Sequence, residues 1–190
     1  MENLNDKKSA RSLFASKRKS LSAIDLKKLS ECLCAGICKT EEFKNADTVL
    51  LYSATRGEPD FSAVANVALS EGKNVAYPIS QTESCTLDFR TVSSLSELWT
   101  GAYGISEPLT SAPNAVITEK TLCIVPALAV DKNGFRLGYG KGYYDRFLKN
   151  FAGYSLCAIS SEHIVENIPK SDNDVPVNGI ITETGVILKK

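Results

Sequence analysis

The 190-residue sequence contains one histidine, no Cys-x-x-Cys pair and no excess of charge of either sign. A lone histidine and scattered cysteines leave too few suitably spaced ligands for a zinc site. A formal net charge of zero argues against a general role on nucleic acid or at a membrane surface. No run approaches the ~18 consecutive apolar residues that a membrane span needs, and the polar N-terminus has no signal-peptide core. A cytoplasmic address is therefore expected. The six cysteines make no disulfide framework: Cys32, Cys34 and Cys38 fall in a helical pattern, and Cys85, Cys123 and Cys157 are isolated. They are expected as small buried hydrophobes, and His163 as a structural residue. Internal repeats and low-complexity linkers are also missing. The length suffices for one buried core, so residues 1–190 are expected to form a single domain.

What is present is ordered like an α/β protein. Residues 6–20 read as a basic helix with Ala10, Leu13 and Phe14 on one side. Ser22 is placed to cap a second helix in which Leu26, Leu29, Leu33 and Ile37 recur at helical spacing. Thr48–Ser53 is a strand-like run, and Asp60 can cap a helix carrying Phe61, Val64, Ala65, Ala68 and Leu69 that Gly72 stops. With a strand at Asn74–Pro78, residues 48–78 form a β-α-β unit. Leu87–Thr91, Leu122–Val130 and Ser155–Ser160 read as further strands, and Gly179–Leu188 as a strand pair turning at Thr184-Gly185. A helix from Gly142 would carry Tyr143, Phe147 and Phe151 along one face. Strands alternating with helices imply a largely parallel sheet, with ligands beyond the carboxyl ends of its strands.

The segment 131–146 lies at such an end. Gly138, Gly140 and Gly142 alternate through it, with Arg136, Lys141 and Arg146 among them. Glycine at every second position lets successive N–H groups turn toward one anion, and crowded cations repel unless an anion or acids answer them. The loop matches neither common nucleotide fingerprint: Gly142 follows Lys141 where a Walker A loop has Ser or Thr, and Tyr143 replaces the third glycine of G-x-G-x-x-G. A tight turn that holds no ligand fits the same spacing. Asp145 could hold magnesium beside bound phosphates, or serve only as a helix-dipole or Lys149 partner. Glu58 reads as a ligand-binding carboxylate or as a loop acid near the Asp60 cap. Lys7 and Arg11, at i,i+4, read as a solvated face or as two cations reaching a triphosphate. Asp172 and Asp174 by themselves read as a solvated turn.

Pro126 through Leu148 (PALAVDKNGFRLGYGKGYYDRFL) closely resembles the signature of the 5-formyltetrahydrofolate cyclo-ligase family. Lys7-x-x-x-Arg11, Tyr52–Glu58 (YSATRGE), Gly104–Pro108 (GISEP) and Asp174–Val177 (DVPV) support the resemblance in the family's order. It implies a Rossmann-like three-layer α/β/α domain with a largely parallel sheet and an N-terminal helical segment. It further implies conversion of 5-formyltetrahydrofolate, ATP and magnesium to 5,10-methenyltetrahydrofolate, ADP and phosphate. Carried over by position, ATP contacts fall on Lys7, Arg11, Arg136, Leu137, Gly138, Tyr139, Gly140, Lys141, Gly142, Tyr143 and Tyr144. Folate contacts fall on Tyr52, Glu58, Tyr139, Gly140, Lys141, Gly142 and Tyr143. Magnesium falls on Asp145 and Asp174, and the catalytic cations are Lys141 and Arg136. Two places depart from the family pattern: the Arg56-Gly57 spacing to Glu58, and Asn178, where an acid is frequent. A monomer acting on 5-formyltetrahydrofolate and ATP, with neither nucleic acid nor membrane as partner, is expected. The competing readings are a sugar-phosphate isomerase or CoA-transferase-like enzyme and a non-catalytic nucleotide or folate carrier.

Overall fold

Asp6 accepts the N–H groups of Lys8 and Ser9 and so opens α1 (Lys7–Ser20); Ser22 opens α2 (Ala23–Ile37) through Asp25 N–H. These elements belong to a computed structural model that describes residues 6–189. A short α3 (Glu41–Asn45) leads into β1 (Thr48–Leu50), α4 (Ser62–Ser70) and β2 (Asn74–Gln81), and β1 and β2 pair in parallel as a β-α-β unit. The α4 cap position is Phe61; Asp60, one residue earlier, takes the Ser62 N–H. β3 (Thr86–Val92) returns antiparallel to β2. A hairpin absent from the sequence reading follows, β4 (Leu98–Thr100) with β5 (Ser106–Pro108). The remaining elements are β6 (Thr121–Ile124), β7 (Ala129–Asp131), β8 (Arg136–Leu137), α5 (Tyr143–Leu148), β9 (Tyr154–Ala158), β10 (Ile164–Val165), β11 (Gly179–Thr182) and β12 (Gly185–Lys189).

Seven strands form one sheet in the order β12-β11-β9-β6-β1-β2-β3, parallel from β11 to β2 with an antiparallel strand at each edge. Alternation along the central strands supplies two cores. Val49, Val75, Leu122 and Leu156 pack with Leu33 and Ile37 of α2 and Val64 and Ala65 of α4. Leu50, Ala76, Cys123 and Cys157 pack on the other face with Leu148, Phe147 and Phe151. Central strands buried on both faces account for their unbroken apolar runs. A third cluster seats α1 on a small sheet of β10, β7 and β8, where Phe14 meets Leu128, Ala129 and Leu137. Full burial of a side chain like Phe14 is worth roughly 2–3 kcal/mol, which fixes the helix against the strand pair that leads into the glycine loop.

Three sequence expectations need correction. The run Leu122–Val130 is two strands in two sheets: β6 ends at Ile124, and the chain leaves through Pro126, which has no N–H for the ladder. The helix after the glycines ends at Leu148, so Phe151 lies beyond it, although its ring still sits 5.1 Å from Phe147. Of the cysteines, Cys34, Cys123 and Cys157 are buried, but Cys32 is exposed and Cys38 and Cys85 are half-buried; all six are free thiols.

His163 is buried against Phe14, with Nδ1 donating to the Leu128 carbonyl at 2.7 Å. Burial lowers its pKa, and the charges of Arg18 and Lys17 act in the same direction. A base whose folded pKa is depressed adds stability above its unfolded value of about 6.5, and that stability fades as pH falls through the folded pKa. The gap in thermal midpoint between the wild type and His163→Gln should therefore narrow as pH is lowered from 8 toward 5. A gap that is constant across this range would show that folding leaves the His163 pKa unchanged, and a gap that widens would show that the fold raises it.

Candidate active site

β2 lies on one side of β1 and β6 on the other, so the strand order reverses at β1, and the crevice there opens beyond the carboxyl ends. A cavity of about 790 Å³ fills it. Every site residue picked out from the sequence lines this cavity: Lys7 and Arg11 from α1, Tyr52 and Glu58 after β1, the run 136–145, and Asp174. Among the described residues, no group of three or more His, Cys, Asp or Glu side chains could hold a metal.

The glycine loop joins β8 to α5 and ends where Gly142 (φ 71°) caps the helix. Gly140 has φ 99°, and a Cβ there would meet the Arg11 guanidinium at 3.2 Å. A Cβ on Gly138 would meet nothing within 4 Å, so that glycine leaves open space. Arg11 is held against the loop by its Nε bond to the Gly138 carbonyl at 2.9 Å. The six-residue α5 lends little dipole, so the loop's N–H groups and the cations must carry any anion.

The cations divide by what answers them. Arg136 is buried and committed, with Nη2 3.0 Å from Asp145 Oδ1 and Nη1 2.6 Å from the Val175 carbonyl. Arg146 donates to the carbonyls of Cys85 and Lys141. Lys141 is exposed, and no described residue pairs with its ammonium. Asp145 thus pairs with Arg136, not with Lys149, and also accepts Val175 N–H.

Asp174 accepts Lys7 Nζ at 2.5 Å and Ser171 N–H at 2.6 Å, both on Oδ2. Partial burial opposes its ionisation, yet the hydrogen bonds from Lys7 and Ser171 and the Lys7 charge outweigh burial and hold the carboxyl below its ordinary value. In Asp145 the described partners all use Oδ1, so each carboxylate keeps one oxygen that no described residue engages. Two such carboxylates fit magnesium, which is commonly held by one or two of them together with phosphate oxygens and water. Asn178 is no part of this set: its Oδ1 accepts Ser155 N–H and Oγ–H, away from the cavity lining.

At the other end, Tyr52 is buried edge-on to Phe61 with its hydroxyl donating to Pro59 O at 3.4 Å, while Ser53 Oγ donates to the Ser106 carbonyl. Burial and the neighbouring Glu58 push the Tyr52 pKa well above 10. Glu58 is also buried; burial raises its pKa against the Thr55 N–H bond and the charges of Arg18 and Arg56. Tyr144 lines the cavity, yet its hydroxyl is buried with no partner among the described residues. Tyr143 and Tyr103 link their hydroxyls at 3.2 Å, joining the glycine loop to the β4–β5 hairpin.

Two further residues escaped the sequence reading. Glu107 is buried in the cavity wall, accepts N–H groups from Ser80 and Ala102, and leaves no room for a Cβ at Gly101, 2.3 Å from its Oε2. Arg18 is buried beside Glu58. Its signal was the helical row Lys7, Arg11, Phe14, Arg18, which puts it on the packed face of α1.

The model of the 5-formyltetrahydrofolate cyclo-ligase family matches residues 3–183. An Escherichia coli protein named 5-formyltetrahydrofolate cyclo-ligase is 30% identical over 146 residues, covering 74% of this chain and 80% of its own. A mouse protein of the same name is 25% identical over 193 residues and covers 93% of each. Among solved structures, 5,10-methenyltetrahydrofolate synthetase from Aquifex aeolicus is similar with a TM-score of 0.82 at 33% identity, over 95% of this chain and 91% of that one. The Mycoplasma pneumoniae 5,10-methenyltetrahydrofolate synthetase shares the fold with a TM-score of 0.73 at 19% identity, over 94% and 99%.

Proposed function

The chain belongs to the 5-formyltetrahydrofolate cyclo-ligase family and converts 5-formyltetrahydrofolate to 5,10-methenyltetrahydrofolate with ATP, and we propose that it does so in this cavity. The observation that carries the reading is the convergence of the glycine loop, two free-edged carboxylates and a buried glutamate on one space. ATP lies with its terminal phosphates over residues 138–142, flanked by Lys7, Arg11 and Lys141. The pterin lies toward Tyr52 and Glu58, with Tyr143 and Tyr144 between the two substrates.

The N5-formyl oxygen attacks the γ-phosphorus, and the bond from that phosphorus to the ADP oxygen breaks. The formyl carbon, now carrying a good leaving group, is attacked by N10. Loss of the N10 proton and departure of phosphate leave the methenyl bridge. No protein nucleophile is needed; the chain positions two substrates and stabilises charge moving onto the ADP oxygen. Lys141 faces that charge directly, while Arg136 acts from beneath by holding Asp145. Asp145 and Asp174 would hold magnesium, which when bound offsets charge on the phosphates. ADP and phosphate are the co-products.

A cytoplasmic monomer remains part of this proposal; among the described residues no helix is long and apolar enough to cross a membrane. Mixing protein, 5-formyltetrahydrofolate, ATP and magnesium should produce the near-ultraviolet absorbance of the methenyl product with matching release of ADP. Binding of both ligands without that absorbance would favour the carrier reading instead.

A further inference from the structure

Arg18 has no place in the chemistry described above, yet it is among the most enclosed charges in the molecule. Its side chain and that of Glu58 are 4% and 5% exposed, and Nη1 lies 3.6 Å from Glu58 Oε1. The same nitrogen is 3.5 Å from the Tyr139 hydroxyl of the glycine loop, and Nη2 donates to the Ala127 carbonyl just after β6. Gly57 (φ 74°) brings the loop backbone onto the stem of Arg18, where a Cβ would lie 3.3 Å from its Cγ. One guanidinium thus touches α1, the loop after β1, the chain after β6, and the glycine loop. The Tyr139 ring also carries the Arg56 guanidinium over it, 5.0 Å from the ring centre.

From this geometry we infer that Arg18 is a positioning residue: it keeps Glu58 ionised and aimed at the pterin, and ties it to the loop that holds ATP. The inference rests on the reading of Glu58 as a folate contact. A carboxylate can accept two N–H groups from a pterin edge, whereas a carboxylic acid offers one acceptor fewer. Burial favours the acid form of Glu58. The groups facing it are Arg18 from α1, Arg56 and the Thr55 N–H from its own loop, Tyr52 after β1 and Tyr144 from α5. Both tyrosines are pushed above their ordinary pKa and stay neutral, so the two arginines are the cations that oppose burial, and only Arg18 is itself enclosed.

The test is a pH profile combined with a double-mutant cycle. In Arg18→Met, KM for 5-formyltetrahydrofolate should rise about tenfold or more, and the acid limb of kcat/KM for folate should move up by about one pH unit. KM for ATP should change less. Arg18→Lys, which retains the charge but not the fork, should keep the limb near its wild-type position while still raising KM for folate. In a Glu58→Gln background both Arg18 variants should lose their effect on that KM. If Arg18→Met does not fold, Arg18→Lys is read through the same cycle. An acid limb that stays put in Arg18→Met, equal changes in the two KM values, or a persisting effect in Glu58→Gln would overturn the inference. Glu58→Gln with an unchanged KM for folate would instead overturn the assignment of Glu58 itself.

Discussion

Lys141→Ala should lower kcat by about two to three orders of magnitude, the loss typical of removing one positioned donor from a charge-stabilising site. Lys141 sits between Gly140 and Gly142 at the cavity mouth, exposed and without a described partner. Its side chain packs in none of the three cores, so the thermal midpoint should stay within a degree or two of wild type. A ground-state phosphate ligand would raise KM for ATP and leave kcat alone; a group that meets charge developing in transfer lowers kcat. Lys141→Arg separates charge from shape, because a guanidinium retains the cation but not the compact ammonium. Near-normal turnover in Lys141→Ala would remove this residue from the reaction and leave Arg11 and Lys7 as the cations to examine.

Asp145→Asn should act on metal use and stability together. Asparagine keeps an oxygen to accept from Arg136 and Val175, so the local geometry can persist. It removes the charge that answers Arg136, whose side chain is 3% exposed, while Asp145 itself is 27% exposed. Losing a partner from a half-shielded pair costs on the order of 1–3 kcal/mol, less than for a fully buried one. The magnesium concentration for half-maximal rate should rise about 10- to 100-fold. Asp174→Asn should raise the magnesium requirement as well, since that carboxylate also keeps one oxygen that no described residue engages. An unchanged magnesium response in Asp145→Asn would mean that the metal is held by substrate and water alone.

These effects concentrate on a stretch legible from sequence because its chemistry is local. Three alternating glycines, an interleaved lysine and an acid three residues after the last glycine lie on one short loop, and the fold needs only to present it. The first two helices and the β-α-β unit were legible for a similar reason: the apolar spacing of each helix and the Ser22 cap of the second are near in sequence. What was hidden depends on long-range packing. Arg18 reads like any basic residue of an amphipathic helix, and only the approach of Gly57 and Glu58 encloses it. Leu122–Val130 reads as one strand because both of its sheets bury it; Pro126 was the available signal for the break. The role of Glu107 needed the β4–β5 hairpin, whose short strands carry a weak pattern, with Trp99 largely exposed. Asn178, standing where the family often has an acid, binds Ser155 instead and leaves Asp145 and Asp174 as the carboxylate pair.

The central claim is that residues 138–142 receive the terminal phosphates of ATP. A crystal structure of the protein with magnesium and a non-hydrolysable ATP analogue tests it most directly. The account predicts β- and γ-phosphate oxygens within hydrogen-bonding distance of the loop N–H groups, with Lys141 and Arg11 alongside. A nucleotide bound elsewhere, with this loop unchanged and bare, would contradict it.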